Sequence, residues 1–431
     1  MRLSILVVLI SCASLRVTAQ GNYVDKVINT HSVEKIEDSL ASDAMRGRAT
    51  FTPDIERAAD YIEKQFRAAG LKTWNGSASY RQPFAMVRAK LVSLTGSLDG
   101  SPLTTENTVV LSSASQVRAD EHSGYTIVRI KSGEDLRSKA SEYAHGKDNF
   151  LVLVDTSFGK MFGRLSRMAS QQFKSTFNCI FVLAMSDGAH FSLTADQEVT
   201  SSPLANVVGI LPGKGPHKSE YVIFSGHYDH LGVRRPDARG DSIYNGANDD
   251  ASGTTAVILL AKYFAHLHHN NRTLVFAAFT AEEIGEYGSQ YFSSQFDPAK
   301  VVAMFNIEMI GSPSKWGENS AFITGFERSS MSTILQKNLT GSKFSFYADP
   351  YPDQHLFYRS DNASLARKGV PAHTISTTQI DIDKTYHKPE DEVSTLDLKN
   401  MAEIIKGIVL SSRTIVAGVD TPTRVDTTQL R

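Results

Sequence analysis

Five side chains able to ligate a metal ion follow one another along the chain, each inside a short motif. They are His227 in Gly226-His227-Tyr228-Asp229-His230-Leu231-Gly232, Asp249 in Asn248-Asp249-Asp250-Ala251-Ser252-Gly253, Glu283 in Thr280-Ala281-Glu282-Glu283-Ile284-Gly285, Glu308 in Asn306-Ile307-Glu308-Met309-Ile310-Gly311, and His387 in Tyr386-His387-Lys388-Pro389-Glu390-Asp391. Zinc accepts imidazole nitrogen and carboxylate oxygen, and a catalytic site keeps one position for water. Two such ions about 3.5–4 Å apart can share a carboxylate. The set supplies a His–carboxylate pair for each ion and Asp249 as the natural bridge. Asp229, two residues after His227, is expected to accept from the other imidazole nitrogen and fix its tautomer. Glu282 and Glu283 are adjacent at a strand end and point in different directions. Two neighbouring carboxylates repel unless cations lie beside them. One of the pair is expected to ligate, and the free one to take a proton from water and deliver it to a leaving amine. The chemistry that fits is attack on an amide by metal-activated water.

These residues need a frame, and the pattern from Leu204 onward provides one. Runs at 221–225, 273–279, 301–307, 321–324 and 372–376 read as strands. Stretches at 251–267, 286–296, 330–338, 362–368 and 396–416 read as helices. Alternation of this kind predicts an α/β fold with a mostly parallel central sheet flanked by helices. Ligands in such sheets gather beyond the carboxyl ends of the strands, where His227, Glu282, Glu283 and Glu308 fall. Two amphipathic helices are predicted upstream, at 33–40 and 54–69, the second stopped by Gly70. Between about 85 and 203 the pattern becomes short alternating runs interrupted by Gly and Ser. That predicts a smaller β-rich inserted unit, with one helix over 161–173. The expected division is a leader at 1–19, a catalytic domain formed by 20–84 plus 204–431, and the insert at 85–203.

Composition sets the remaining limits. With 431 residues, 41% hydrophobic and 21% charged, the chain can bury a full core. Lys plus Arg number 45 against 46 Asp plus Glu, which gives no electrostatic reason to expect nucleic acid or an anionic membrane as partner. Arg2, the apolar run 3–10 and Val17-Thr18-Ala19 before Gln20 read as an export signal, too short to span a bilayer. The expected location is periplasmic or secreted. Leu9-Ile10-Ser11-Cys12 offers a second option, a lipoprotein box with Cys12 as anchor. Cys179, in an apolar run, is expected to be a buried small hydrophobe. His266, His268 and His269 fall at a helix C-terminus, where the dipole favours histidine, and are set aside as ligands. Trp74 and Trp316 read as core or substrate-pocket aromatics, with the core as the default. Nothing in the pattern specifies an oligomeric state.

The ordered motifs, together with Leu204-Ala205-Asn206-Val207-Val208-Gly209-Ile210-Leu211-Pro212-Gly213, resemble the M28 family of zinc peptidases, mostly two-zinc aminopeptidases on an α/β sheet. The resemblance implies one zinc on Asp249, Glu283 and His387 and another on His227, Asp249 and Glu308. It implies Glu282 as general base and a cis peptide between Asp249 and Asp250. It also implies a peptide substrate cut at its N-terminal residue. Glu308 stands where the family more often has Asp, and Ser360-Asp361-Asn362 where it has Ser-Asp-His. Tyr358 is the candidate for oxyanion binding. The insert lies where some relatives carry a protease-associated domain. Two alternatives share the fold: a glutaminyl cyclase-like enzyme with one zinc, and a non-catalytic binding module.

Overall fold

The computed structural model describes residues 23–169 and 171–430. The expected export signal and Cys12 lie outside the described residues. Two compact units emerge, divided between Gln82 and Pro83 and between Leu204 and Ala205.

The larger unit opens with helices α1 (Thr30–Leu40) and α2 (Pro53–Ala68). Both begin on a side-chain cap: Asn29 accepts from the Ser32 amide, and Thr52 from the Asp54 amide with Pro53 in the first turn. The stripe Ile55, Ala58, Ala59, Ile62 and Phe66 makes one face of α2 apolar, and all five are buried. Gly70, at φ +77°, ends the run.

The rest of this unit alternates as the sequence predicts. Strand β1 (Phe191–Leu211) contributes residues 205–211. It is followed by β2 (Tyr221–His227), α3 (Ser252–Leu267), β3 (Thr273–Phe279), α4 (Tyr287–Ser293), β4 (Val301–Ile307), β5 (Ser320–Ile323), α5 (Met331–Asn338), β6 (Ser345–Ala348), α6 (Asn362–Ala366), β7 (Ala372–Ser376) and α7 (Leu398–Val416). The strand order is β6-β5-β7-β4-β2-β3-β1. The four central strands β7, β4, β2 and β3 run parallel, while β1 and β5 pair antiparallel to them. Every residue of β3 is buried, as expected of a strand covered on both faces. Helix α3 is apolar over most of its circumference, with Ala256 to Ala261 buried and only its last turns reaching the surface at Lys262 and His266, so it is largely a core helix. Phe224 stacks between Phe264, Phe276 and Phe305 at ring separations of 5.4, 5.7 and 4.9 Å.

Register places the functional end. His227 pairs with Phe279 across β2 and β3, Ser225 with Asn306 across β2 and β4, and Ile307 with Ile375 across β4 and β7. The carboxyl ends of four neighbouring strands therefore finish at one level.

The smaller unit holds a four-stranded sheet ordered Thr108–Leu111, Cys179–Leu183, Phe150–Val154 and Thr126–Ile130, parallel over the last three. Cys179 is buried there. Two expectations fail in this unit. The helix predicted over 161–173 is a series of short turns, Gly159–Phe162, Gly163–Leu165 and Ser166–Ala169, and Gln172–Phe173 is a strand. Two glycines inside five residues deprive that stretch of helix propensity. Conversely, Leu136–Ala144 forms an unpredicted helix, capped by Asp135, with only Leu136 and Ala140 buried. Among the described residues no helix is long and apolar enough to cross a membrane.

Candidate metal centre

His227 is the last residue of β2, Glu308 the first after β4, and Glu282 and Glu283 follow β3 by three and four residues. Asp249 sits in the turn Ala247–Ala251 that feeds α3, and His387 in the loop beyond β7. The fold gathers all five predicted ligands. His227 Nε2 lies 3.3 Å from Asp249 Oδ1, and His387 Nε2 lies 3.2 Å from Asp249 Oδ2. The two oxygens of one carboxylate thus face two different imidazoles. His387 Nε2 is also 3.2 Å from Glu283 Oε2. Two groups of mutually close donor atoms result: His227, Asp249 and Glu308, and His230, Asp249 and Glu283. Ligands about 2.0–2.1 Å from a tetrahedral zinc stand roughly 3.3 Å apart, which is the spacing of these imidazole–carboxylate pairs. His227 Nε2 and Glu283 Oε1 are buried with no hydrogen-bond partner. Buried polar atoms are ordinarily paired. Orphaned donor atoms converging on common points fit a pair of divalent cations.

The surrounding residues fix this arrangement through backbone hydrogen bonds. Asp250 accepts from the amides of His227, Gly253 and Met309, each at 3.0 Å, so one buried carboxylate ties β2, α3 and the end of β4 together. Gly253 is required beside it, because an added Cβ would lie 2.1 Å from the Ile307 oxygen and 2.5 Å from Asp250. Asp391 accepts from the amides of Asn248 at 2.7 Å and Asp249 at 3.0 Å. The Asp249–Asp250 peptide is cis. Arg48, fully buried, donates to the carbonyls of Leu40, Tyr228, Asn245 and Gly246 and so joins the His227 and Asp249 loops. Glu308 accepts from Ser360 Oγ, which itself accepts from Asn306 Nδ2 at 2.6 Å.

Asp229 departs from its expected role. The acceptor near His227 Nδ1 is the Asp229 backbone oxygen, at 3.1 Å, while its carboxylate stands off at 3.8 Å. That carboxylate instead accepts from Thr50 Oγ1 and from the amides of Glu282 and Glu283. The imidazole tautomer is set by a carbonyl, and Asp229 positions the acidic pair.

Residues 206–411 match the profile of Peptidase family M28. This segment belongs to that family. Among curated relatives, the chain is similar to aminopeptidase Y of Saccharomyces cerevisiae, 29% identical over 181 residues, which cover 37% of this chain and 32% of that protein. A probable zinc metalloprotease of Pyrenophora teres is 37% identical over 110 residues, covering 25% of this chain and 23% of that one. The chain spans about a quarter to a third of the length of these relatives. Its fold is that of an aminopeptidase from Aneurinibacillus sp. strain AM-1, with a TM-score of 0.54 at 17% identity over 91% of this chain and 95% of that one. Porphyromonas gingivalis glutaminyl cyclase shares the fold too, with a TM-score of 0.50 at 13% identity over 90% and 99% of the two chains. The fold alone does not separate these chemistries.

Electrostatics within the M28 segment follow from burying many carboxylates together. Burial drives Glu282 well up from the usual carboxylate range. His227 opposes this, and the Glu308, Asp361 and Glu283 charges reinforce it. Burial raises Glu308 to about 7. Burial alone would lower His387, but the Asp249 and Glu283 carboxylates overcome it and push the imidazole up to about 10. Without metal, His387 is therefore protonated across the whole interval from its ordinary value to about pH 10. A cation must displace that proton. Zinc affinity is expected to rise with pH, by up to about tenfold per unit for each proton released, and to level off above about pH 10. Titration calorimetry in buffers of different ionisation enthalpy should register this proton release. A pH-independent affinity would contradict it.

Several residues that shape this candidate site escaped sequence reasoning. Asp250, Asp391 and Ser360 lie inside or beside the quoted motifs, yet their work is done through backbone amides and neighbouring side chains, which spacing does not reveal. Tyr358, the expected oxyanion donor, packs on the core cluster around Phe357 and Leu365 under Arg328. Tyr386 is the tyrosine at the centre. Its ring stacks on His387 at 3.9 Å, and it lines a pocket with Glu308. Asn362, third in Ser360-Asp361-Asn362, bonds to the Phe357 and Ala372 carbonyls and accepts from Thr374, a purely structural role. Of the two tryptophans, Trp74 packs on Phe296, whereas Trp316 is not in the core: it is exposed and stacks on Tyr347.

Proposed function

We propose that this chain is a zinc-dependent aminopeptidase, exported by its N-terminal signal, that removes N-terminal residues from peptides. The observation that carries the reading is Asp249, whose two oxygens each face a separate imidazole. His227, Asp249 and Glu308 would hold one ion, and Asp249, Glu283 and His387 the other. Ions bound there polarise a carbonyl and lower the pKa of water.

The chain's own groups supply the rest. Glu282, whose Oε2 is 3.9 Å from His227 Nε2, stands beside the ligands without being needed as one. It accepts the proton of the attacking water and passes it to the departing amine. Burial raises its pKa, and cations held by the neighbouring ligands would oppose that shift. The carboxylates of Asp249, Glu283 and Glu308 attract the substrate α-ammonium, which restricts cleavage to the first residue. Burial and the carboxylates of Asp249, Glu308 and Glu283 hold the Tyr386 hydroxyl protonated at any physiological pH. It can therefore donate to the oxyanion. The pocket beside Glu308 and Tyr386 has Met309, Phe322, Leu356 and Ile380 in its walls, which suits an apolar first side chain.

Tyr386→Phe is expected to lower kcat by about 10²–10³-fold with KM little changed, the usual effect of losing one oxyanion donor. Steady-state kinetics would show it, and an unaltered kcat would remove Tyr386 from the reaction. The reading as a whole is tested by a screen of aminoacyl, dipeptidyl and N-terminal Gln substrates, with and without chelator. Chelator-sensitive release of an apolar N-terminal residue is expected. Pyroglutamate formation with no peptide hydrolysis would establish the cyclase alternative instead.

A further inference from the structure

His230 has no place in the ligand sets above, yet it faces the same metal position. Its side chain is fully buried, and neither ring nitrogen has a hydrogen-bond partner. Nδ1 lies 2.7 Å from Glu283 Oε1 and 3.8 Å from Asp249 Oδ2. At 2.7 Å the two atoms form a close imidazole–carboxylate pair, and Glu283 Oε1 is otherwise unpartnered. Two such atoms, buried, close and with no other partner, are arranged as if both faced a third atom beside them.

The backbone holds the ring there. The His230 amide donates to the Arg48 carbonyl at 3.2 Å, inside the region fastened by the Arg48 guanidinium. Gly246 packs against the imidazole so closely that a Cβ would come within 2.5 Å of it. The rings of His230 and His387 meet edge to face, 5.8 Å between centroids, on either side of Glu283.

We propose that His230 is a third imidazole ligand, acting through Nδ1 on the ion held by Asp249, Glu283 and His387. This rests on the metal-dependent reading given above. The two positions then differ in kind. One would have four protein ligands, the number that closes a tetrahedral zinc site, and the other three, leaving room for substrate or water. The fully liganded position is expected to fill first and to resist chelators longer.

Cobalt(II)-loaded full-length protein provides the test. Each neutral imidazole bound to cobalt keeps one N–H, whose proton resonance is strongly shifted and disappears in D2O. Three such signals are expected, from His227, His230 and His387. His230→Ala should remove at least one, and should weaken retention of the more tightly held ion by about 100-fold or more, beyond the usual loss for a residue that merely orients a ligand. Two signals from protein carrying two cobalt ions would overturn the proposal while leaving the metallopeptidase reading intact. So would three signals unchanged in the folded variant. Protein that takes up no cobalt would sink both. Should His230→Ala fail to fold, the count in the unaltered protein still decides between three ligands and two.

Discussion

Replacing Glu282 by Gln is expected to reduce kcat by about 10²–10⁴-fold, the range general acid–base catalysis ordinarily contributes, while both metals remain bound. The separation of these effects follows from geometry. The donors that converge are His227, His387, Glu283, Glu308 and Asp249, whereas Glu282 belongs to neither donor group and stands 3.9 Å from His227 Nε2. Glutamine keeps the shape and the amide held by Asp229, but it cannot accept a proton. The loss should therefore fall on kcat, with KM and metal content close to those of the unaltered protein. Metal analysis alongside kinetics checks this. Retained turnover would transfer the role of base to another group, and loss of metal would make Glu282 a ligand.

Asp249→Ala is expected to have the larger consequence. Asp249 is the residue common to both donor groups, so its removal should release both ions rather than one. Activity should fall to the level of chelated protein. His227→Ala, by contrast, should leave the ion held by Glu283 and His387 in place. The variant should also be tested for fold, because Asp249 lies in the turn that enters α3 and its amide is held by Asp391. Asp249→Asn keeps that shape with a neutral side chain and is expected to weaken both positions without unfolding. Two ions retained by the alanine variant would end the claim that Asp249 bridges.

The frame and the ligands were legible for different reasons. Strands such as β3 announce themselves as apolar runs, and α3 as a long apolar stretch after a glycine-bearing turn. His227 and Glu308 were legible because each stands at the end of such a strand, and Asp249, Glu283 and His387 because each sits in a short motif in a loop at the same end of the sheet. What spacing could not show is which atom of a residue does the work. Asp229 is near His227 in both sequence and space, but its backbone carbonyl reaches the ring before its carboxylate does. His230 sits in the same motif as His227 and was overshadowed by it, although two residues later than Tyr228 it could reach the other side of Asp249. Strand β6 was missed because it is a four-residue strand at the sheet edge with only Phe346 buried. Such edges carry little of the pattern that marks buried strands. The turns at 159–169 were misread because apolar residues there recur at nearly helical intervals, while Gly163 interrupts them.

The most direct test of the central claim is anomalous diffraction at the zinc absorption edge from crystals of the full chain grown with zinc. The account predicts two peaks about 3.5–4 Å apart, one on either side of the Asp249 carboxylate, the first bounded by His227 and Glu308 and the second by Glu283 and His387. A single peak at full occupancy, or none near Asp249, would contradict it.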